Sequence, residues 1–135
     1  MSTTSATPEA IVAAVEAVYN AQEVERIMAL FHPEIVFFWN GQPAGRGLAD
    51  LRRWHEERFG RPRPDYRIRK RLHAAAGDAL AVEWEASWTD PATNSEWQTY
   101  GGEMWTLQEG RLREWHAYAQ LYRRDRGASA WTAVL

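Results

Sequence analysis

The fold is decided by YRIRKRLHAAAGDALAVEWEASW, residues 66–88. Apolar and polar side chains alternate on both sides of the Gly-Asp pair at 77–78, which is typical of two antiparallel strands joined by a turn. The predicted register places Arg71 opposite Glu83, with a second arginine–glutamate pair two residues further from the turn. Each such pair contributes roughly 0.2 to 1 kcal/mol to a hairpin. The opposite face of the hairpin carries Leu72, Val82, Trp84 and Trp88.

Further helices and strands are predicted on either side of this hairpin. Thr7-Pro8-Glu9 begins a helix, because it supplies a hydroxyl cap, a proline at the first helical position and an acid in the first turn. Apolar spacing predicts helices within 8–19, 24–32 and 48–59, and strands within 35–40, 97–107 and 112–122, with 41–47 as a loop. This order predicts an α+β fold, in which three N-terminal helices and a cone-shaped, curved, mostly antiparallel sheet enclose a pocket.

Composition excludes several classes of function. A formal net charge of −2 over 135 residues gives no electrostatic reason to bind nucleic acid or an anionic membrane. The absence of cysteine excludes disulfides and thiolate catalysis. Apart from His55, the histidines are scattered along the chain and predict no metal site. They are His32, His73 and His116. We therefore expect no metal and no other cofactor.

The chain is expected to form one domain over residues 8–122. Residues 1–7 are predicted to be a disordered N-terminus, and residues 123–135 a C-terminal tail that is either disordered or covers a partner or the pocket mouth. No secretion signal is visible, and no apolar run approaches the roughly 18 residues of a membrane span. The expected location is the cytoplasm. All but one of the 16 basic residues are arginine, which is typical of a bacterial protein from a GC-rich genome.

Tryptophan is the most informative residue type. The chain has eight, and a buried tryptophan needs a partner for its indole N–H, so it rarely serves as plain core filler. Small residues such as Ala86 and Ala119 share the inward face, and the volume that they leave predicts a cavity. Some of the indoles could instead fill the sheet core. The predicted ligand-binding residues are Trp39, Trp54, Trp84, Trp88, Trp97, Trp105 and Trp115.

Several motifs carry a resemblance to a known family. They are NAQE at 20–23, IMALFHPE at 27–34, GRG at 45–47, GDALAV at 77–82, YGGEMW at 100–105 and GRLREW at 110–115. The order of elements and these motifs resemble the SnoaL-like and ketosteroid isomerase-like branch of the nuclear transport factor 2-like superfamily. The resemblance covers residues 8–122 and implies the cone-shaped fold more specifically than any chemistry, because this fold serves many functions.

The resemblance also implies roles for individual positions. Trp54 and His55 would be pocket residues on the third helix, and Glu103 falls where ketosteroid isomerases keep a protonated carboxylic acid. The position of the isomerase's catalytic base carries Trp39, which cannot abstract a proton. The position of its oxyanion-hole tyrosine carries Val15, with Tyr19 one turn later. Steroid isomerisation by that mechanism is therefore disfavoured.

Glu103 and His55 are the predicted catalytic residues. The strand register points Glu103 inward beside Trp105, where desolvation would raise the pKa of its carboxyl group and suit it to general acid catalysis. The alternative is a structural ion pair with Arg113, its diagonal neighbour. His55 is predicted to shuttle a proton or to bond Glu103, and otherwise to be a half-solvated helix residue.

Three functions remain open at this point. The chain is either a cofactor-independent acid–base enzyme of isomerase, cyclase or hydrolase type, a non-catalytic binding protein, or an interaction module. The expected ligand is a small apolar or aromatic molecule, although the indoles would equally bind a cation, through contacts worth roughly 0.5 to 2 kcal/mol each. A homodimer is expected through the outer sheet face, whose mixed character is typical of interfaces. That face carries Tyr100, Met104, His116, Tyr118 and Gln120.

Overall fold

Three helices are combined with one six-stranded sheet in the described part of the chain, residues 6–61 and 63–124 of a computed structural model. The elements are α1 (Pro8–Ala21), α2 (Val24–Met28), β1 (Phe31–Trp39), β2 (Gln42–Arg46), α3 (Gly47–Phe59), β3 (Arg67–Ala76), β4 (Ala79–Asp90), β5 (Ser95–Gln108) and β6 (Arg111–Arg123). The predicted start of α1 is confirmed, because the Thr7 hydroxyl accepts a hydrogen bond from the Ala10 amide at 3.1 Å. Most of the predicted N-terminal segment and all of the tail from residue 125 lie outside the described residues, including Trp131.

The sheet has the strand order β2-β1-β6-β5-β4-β3. The pairing of β1 with β6 is parallel, and every other pairing is antiparallel. The sheet is curved and open, with helices against it, so the predicted α+β fold class is confirmed. None of the helices within residues 6–61 and 63–124 has the length and apolar character needed to cross a bilayer.

The hairpin of β3 and β4 has the predicted charge pairs. Arg71 lies opposite Glu83 and forms a hydrogen-bonded ion pair with it, and the second pair, two residues further along, has an N–O distance of 3.7 Å. The turn itself is tighter than predicted, because Ala76 pairs directly with Ala79. A bulge at His73 shifts the register by one residue and brings the arginines back opposite the glutamates.

One strand was missed. Residues 42–46 were expected to be a loop, but they form the edge strand β2, which pairs with β1. Asn40 and Gly41, which have φ angles of 51° and 81°, form the turn between them. An Asn-Gly pair is the strongest short-range hairpin signal, since both central residues need positive φ. The signal was present, but QPAGR lacks the β-branched and aromatic residues that usually mark a strand.

The main core lies between the sheet and the helices α1 and α3. Its largest fully buried side chains include Trp105, Phe31, Phe37 and Leu51. Phe37 stacks on Trp115 of the neighbouring strand with ring centroids 6.0 Å apart. Two of the predicted pocket tryptophans, 105 and 115, are therefore packed among core residues.

Candidate functional site

A cavity of about 440 Å³ lies at one end of the sheet. Its walls come from the C-terminal end of α3, the segment that follows it, and the ends of β1, β4 and β6, together with the start of β5. Three of the predicted indoles line it, those of Trp39, Trp84 and Trp88, and the small residues Ala86 and Ala119 lie between them. A volume of this size is within the range of about 300 to 1,000 Å³ that is usual for small-molecule sites.

The other four predicted tryptophans are not part of this lining. Trp54 packs against Trp39 with ring centroids 5.5 Å apart, and so supports the wall from behind. Trp105 and Trp115 are almost fully buried in the core. Trp97 is half-buried next to the guanidinium of Arg123, which lies 5.7 Å from its ring. The structure thus brings three of the seven to the cavity surface.

Two buried polar atoms on the cavity residues have no hydrogen-bond partner among the described residues. They are the indole Nε1 of Trp84 and the hydroxyl Oγ1 of Thr99, on residues 6% and 4% exposed. Leaving such a group unpaired costs about 1 to 3 kcal/mol. Native proteins keep few of these groups. Both atoms are closed to water in this conformation, so a ligand would bond them only after the Trp84 and Thr99 side chains turned towards the cavity.

Two arginines also line the cavity, and both lie over indole rings. The guanidinium carbon of Arg58 is 3.6 Å from the centroid of Trp54 and 5.1 Å from that of Trp39. The guanidinium carbon of Arg63 is 5.1 Å from the centroid of the Trp88 ring. Burial lowers the pKa of Arg58, and the positive charge of Arg63 lowers it further. Sequence reasoning missed both arginines, although Arg58 lies one helical turn after Trp54.

Glu103 is buried and forms an ion pair with Lys70. Its Oε1 lies 2.8 Å from Lys70 Nζ, and both side chains are 3% exposed. The same oxygen accepts a hydrogen bond from Trp105 Nε1 at 2.9 Å. The inward orientation agrees with the predicted register, but the partner is Lys70 rather than the expected alternative Arg113. The signal available was that Lys70, the only lysine, lies on the inward face of β3.

The Lys70–Glu103 pair lies behind the cavity wall. Lys70 Nζ is 5.5 Å from the ring of Trp84, which lines the cavity, and 5.4 Å from the ring of Tyr19. Neither Lys70 nor Glu103 lines the cavity itself. From this cavity, a ligand would therefore reach the pair only past the Trp84 side chain, whereas Lys70 itself also lines a separate depression of about 890 Å³.

His55 is fully buried and forms hydrogen bonds through both ring nitrogens. Its Nδ1 lies 3.0 Å from the Leu51 carbonyl oxygen, which can only accept, so Nδ1 carries the proton. Its Nε2 then accepts from the Tyr19 hydroxyl at 2.7 Å. Burial lowers the pKa of His55 to about 4 and raises that of Tyr19. Because both nitrogens have partners, the expected bond to Glu103 is not formed, and a catalytic role for His55 stays a prediction.

The outer sheet face, predicted to form a dimer, carries partly exposed apolar side chains. Met104 is 50% and Tyr118 41% exposed. A depression of about 890 Å³ also lies near this face, and its lining includes the Arg71–Glu83 pair and Lys70, whose partner Glu103 is not part of the lining. Dimerisation stays a prediction. The described residues contain no group of three or more potential metal ligands.

The family model of the SnoaL-like domain matches residues 11–115. The chain belongs to the SnoaL-like family. No curated protein matches it.

Solved structures share the fold at low sequence identity. One is SalBIII, an epoxide hydrolase/cyclase-like enzyme with a role in pyran ring formation in the polyether salinomycin. It is 20% identical, with 84% of this chain and 92% of that one covered and a TM-score of 0.72. A second is an NTF2-like protein of unknown function from Exiguobacterium sp. 255-15. It is 17% identical, with 82% of this chain and 98% of that one covered and a TM-score of 0.68. A third is TerC, co-crystallized with polyporic acid. It is 16% identical, with 79% of this chain and 86% of that one covered and a TM-score of 0.63.

Proposed function

We propose that this SnoaL-like protein binds a small, planar, largely aromatic metabolite in the cavity at the end of the sheet. The proposal rests on the open volume of about 440 Å³ that the indoles of Trp39, Trp84 and Trp88 help to line, with two unpartnered polar atoms, Trp84 Nε1 and Thr99 Oγ1, on residues of its wall. A flat apolar ligand with a carbonyl or hydroxyl oxygen would pack against the indole rings, and its oxygen would supply the hydrogen bonds that the two unpaired atoms lack.

The empty volume argues against a purely structural role for this end of the molecule. If the protein were only an interaction module, its own side chains would be expected to fill the space, but about 440 Å³ is left open. Support also comes from relatives that share the fold: SalBIII is described as cyclase-like and TerC was crystallized with a small molecule.

The binding proposal can be tested by recording the indole N–H signals of ¹⁵N-labelled protein during titration with bicyclic aromatics. We expect the signals of Trp39, Trp84 and Trp88 to shift, because these indoles line the cavity. The signal of Trp97, which is not part of the lining, serves as the internal control. Shifts confined to Trp97, or no shift with any aromatic, would contradict the proposal.

A second candidate function is cofactor-independent acid–base catalysis on the bound ligand. It is favoured by Lys70, a second inward-facing titratable group 2.8 Å from Glu103. A Glu103 paired only to Arg113 would have favoured binding alone. The arrangement supplies a carboxylate for proton abstraction and an ammonium for the returning proton, once Trp84 has moved.

A general-base probe tests this candidate without knowledge of the natural substrate. 5-Nitrobenzisoxazole is a planar bicycle from which a base removes one proton as the ring N–O bond breaks. We expect the protein to accelerate this elimination above buffer, and Glu103→Gln to lower kcat/KM by about 100-fold. Glu96→Gln, at an exposed position on the same strand as Glu103, is the matched control. Equal rates for Glu103→Gln and the unaltered protein would remove the catalytic proposal but leave the binding proposal intact.

A further inference from the structure

The charge of the cavity is unbalanced. Arg58 and Arg63 contribute two guanidinium groups to its lining, and no aspartate or glutamate is among the described lining residues. Within residues 6–61 and 63–124, neither guanidinium lies within 4.0 Å of a carboxylate oxygen. The surface arginines of α3 behave differently, since Arg52 pairs with Glu25 and Arg53 with Asp50.

The remaining polar groups of the cavity do not balance this charge. Tyr66 lies in the lining, and burial raises the pKa of its phenol, so it is neutral at physiological pH. Burial is the main cause of the lowered pKa of Arg58, and repulsion from the positive charge of Arg63 adds to it. An anion between the two guanidiniums would relieve that repulsion, and guanidinium–oxyanion hydrogen bonds are about twice as strong as neutral ones.

The same arginines argue against a cationic ligand. The indole face of Trp54 is covered by Arg58, and that of Trp88 is approached by Arg63. A cation seeking those rings would meet two positive charges at close range. The option of a cation held by indole faces, which composition alone left open, is therefore disfavoured.

From these observations we infer that the ligand is an aromatic oxyanion, a carboxylate or an ionised enol conjugated to a planar ring. The oxyanion binds Arg58 and Arg63, and the ring lies against the indoles of Trp39, Trp84 and Trp88. A second oxygen of the ligand bonds Thr99 and the Trp84 N–H. This inference rests on the proposed binding function and specifies its substrate class.

The test compares two acids with neutral molecules of the same shape. The pairs are 2-naphthoate with 2-naphthamide, and 2-hydroxy-1,4-naphthoquinone, which is ionised at neutral pH, with its methyl ether. Calorimetric titration should show at least one acid binding about tenfold more tightly than its neutral partner. The pair with the larger preference distinguishes a carboxylate from an enolate. Raising the salt concentration should reduce this preference.

Variants assign the preference to the two arginines. Arg58→Gln and Arg63→Gln should each reduce the preference for the acid over its neutral partner to about twofold or less. Arg58→Lys, which keeps the charge, should retain part of this preference. Arg53→Gln, an exposed arginine on the same helix, is the control and should leave it unchanged. Folding of each variant is checked by its indole N–H spectrum.

The outcomes separate the two proposals. Equal binding of acids and neutral partners, or an acid preference that survives in both glutamine variants, overturns the oxyanion inference while binding itself stands. If none of the four molecules binds, the proposed binding function fails as well.

Discussion

Lys70 Nζ lies 2.8 Å from Glu103 Oε1, and both side chains are 3% exposed. Glu103 comes from β5 and Lys70 from β3, so the contact spans the intervening strand β4. Trp105 donates to the same carboxylate oxygen, and the rings of Tyr19, Trp84 and Trp105 surround the ammonium. This pair is buried behind the cavity residue Trp84, and its energetics can be measured directly.

Removing only the cation should strongly destabilise the protein. Lys70→Met keeps the length of the side chain but leaves a buried carboxylate with one indole donor, and breaking a buried pair in this way costs about 3 to 5 kcal/mol. The double variant Lys70→Met/Glu103→Gln should recover at least half of that loss, because the Gln oxygen can still accept from Trp105. Urea unfolding measures both. Arg69→Met, in an exposed pair, should cost less than about 1 kcal/mol; a similar cost at Lys70 would contradict the prediction.

His55 should make stability depend on pH in a defined window. Its pKa is about 4 in the folded protein against an ordinary value of 6.5, so the unfolded chain binds the proton more tightly. The stabilising contribution is complete above pH 6.5 and is lost as the pH falls towards 4. Between pH 7 and pH 5 the free energy of unfolding should fall by about 2 kcal/mol from this group.

The His55 prediction is measured by urea unfolding at the two pH values. His55→Gln should lose this part of the pH dependence, whereas His73→Gln, at a histidine whose side chain is 55% exposed, should keep it. An unchanged pH dependence in His55→Gln would show that other groups are responsible.

Thr99→Val should affect stability and binding in opposite directions. Valine has the same shape but removes a buried hydroxyl that has no partner among the described residues. We expect the free energy of unfolding to stay equal or to rise by up to about 1 kcal/mol. Affinity for an oxygen-bearing aromatic should fall by about tenfold, because a ligand hydrogen bond is lost. Thr106→Val, at an exposed position on the same strand, is the control for binding, and unaltered affinity in Thr99→Val would place the ligand elsewhere.

Gly101 and Gly102 should respond very differently to alanine. A Cβ at Gly101 would lie 1.6 Å from the Tyr118 carbonyl oxygen, a backbone atom that cannot move without separating β5 from β6. A Cβ at Gly102 would meet nothing closer than 3.8 Å. Thermal unfolding should show a loss of more than about 3 kcal/mol for Gly101→Ala. Gly102→Ala should be neutral or stabilising by up to about 1 kcal/mol. Equal effects would mean that the strand pairing differs from the one described.

The sequence alone determined the fold class, the cross-strand charge pairs of the central hairpin and the inward direction of Glu103. These follow from local rules, since a period of two assigns the face of each strand residue and cross-strand charges fix the pairing. The shared family motifs then supplied the order of the elements. The edge strand β2 was missed because its residues have weak strand preferences, although its Asn-Gly turn was visible.

Only the tertiary structure decided which side chains meet. Lys70 and Glu103 are 33 residues apart, and no local pattern distinguishes that contact from the alternative pairing with Arg113. The same holds for Tyr19 with His55, and for the arginines that lie over Trp54 and Trp88 at the cavity. Periodicity states which face a residue occupies, but the choice of partner on that face depends on sheet curvature and helix packing. For that reason the sequence predicted an indole wall, and the structure showed that the wall carries two positive charges.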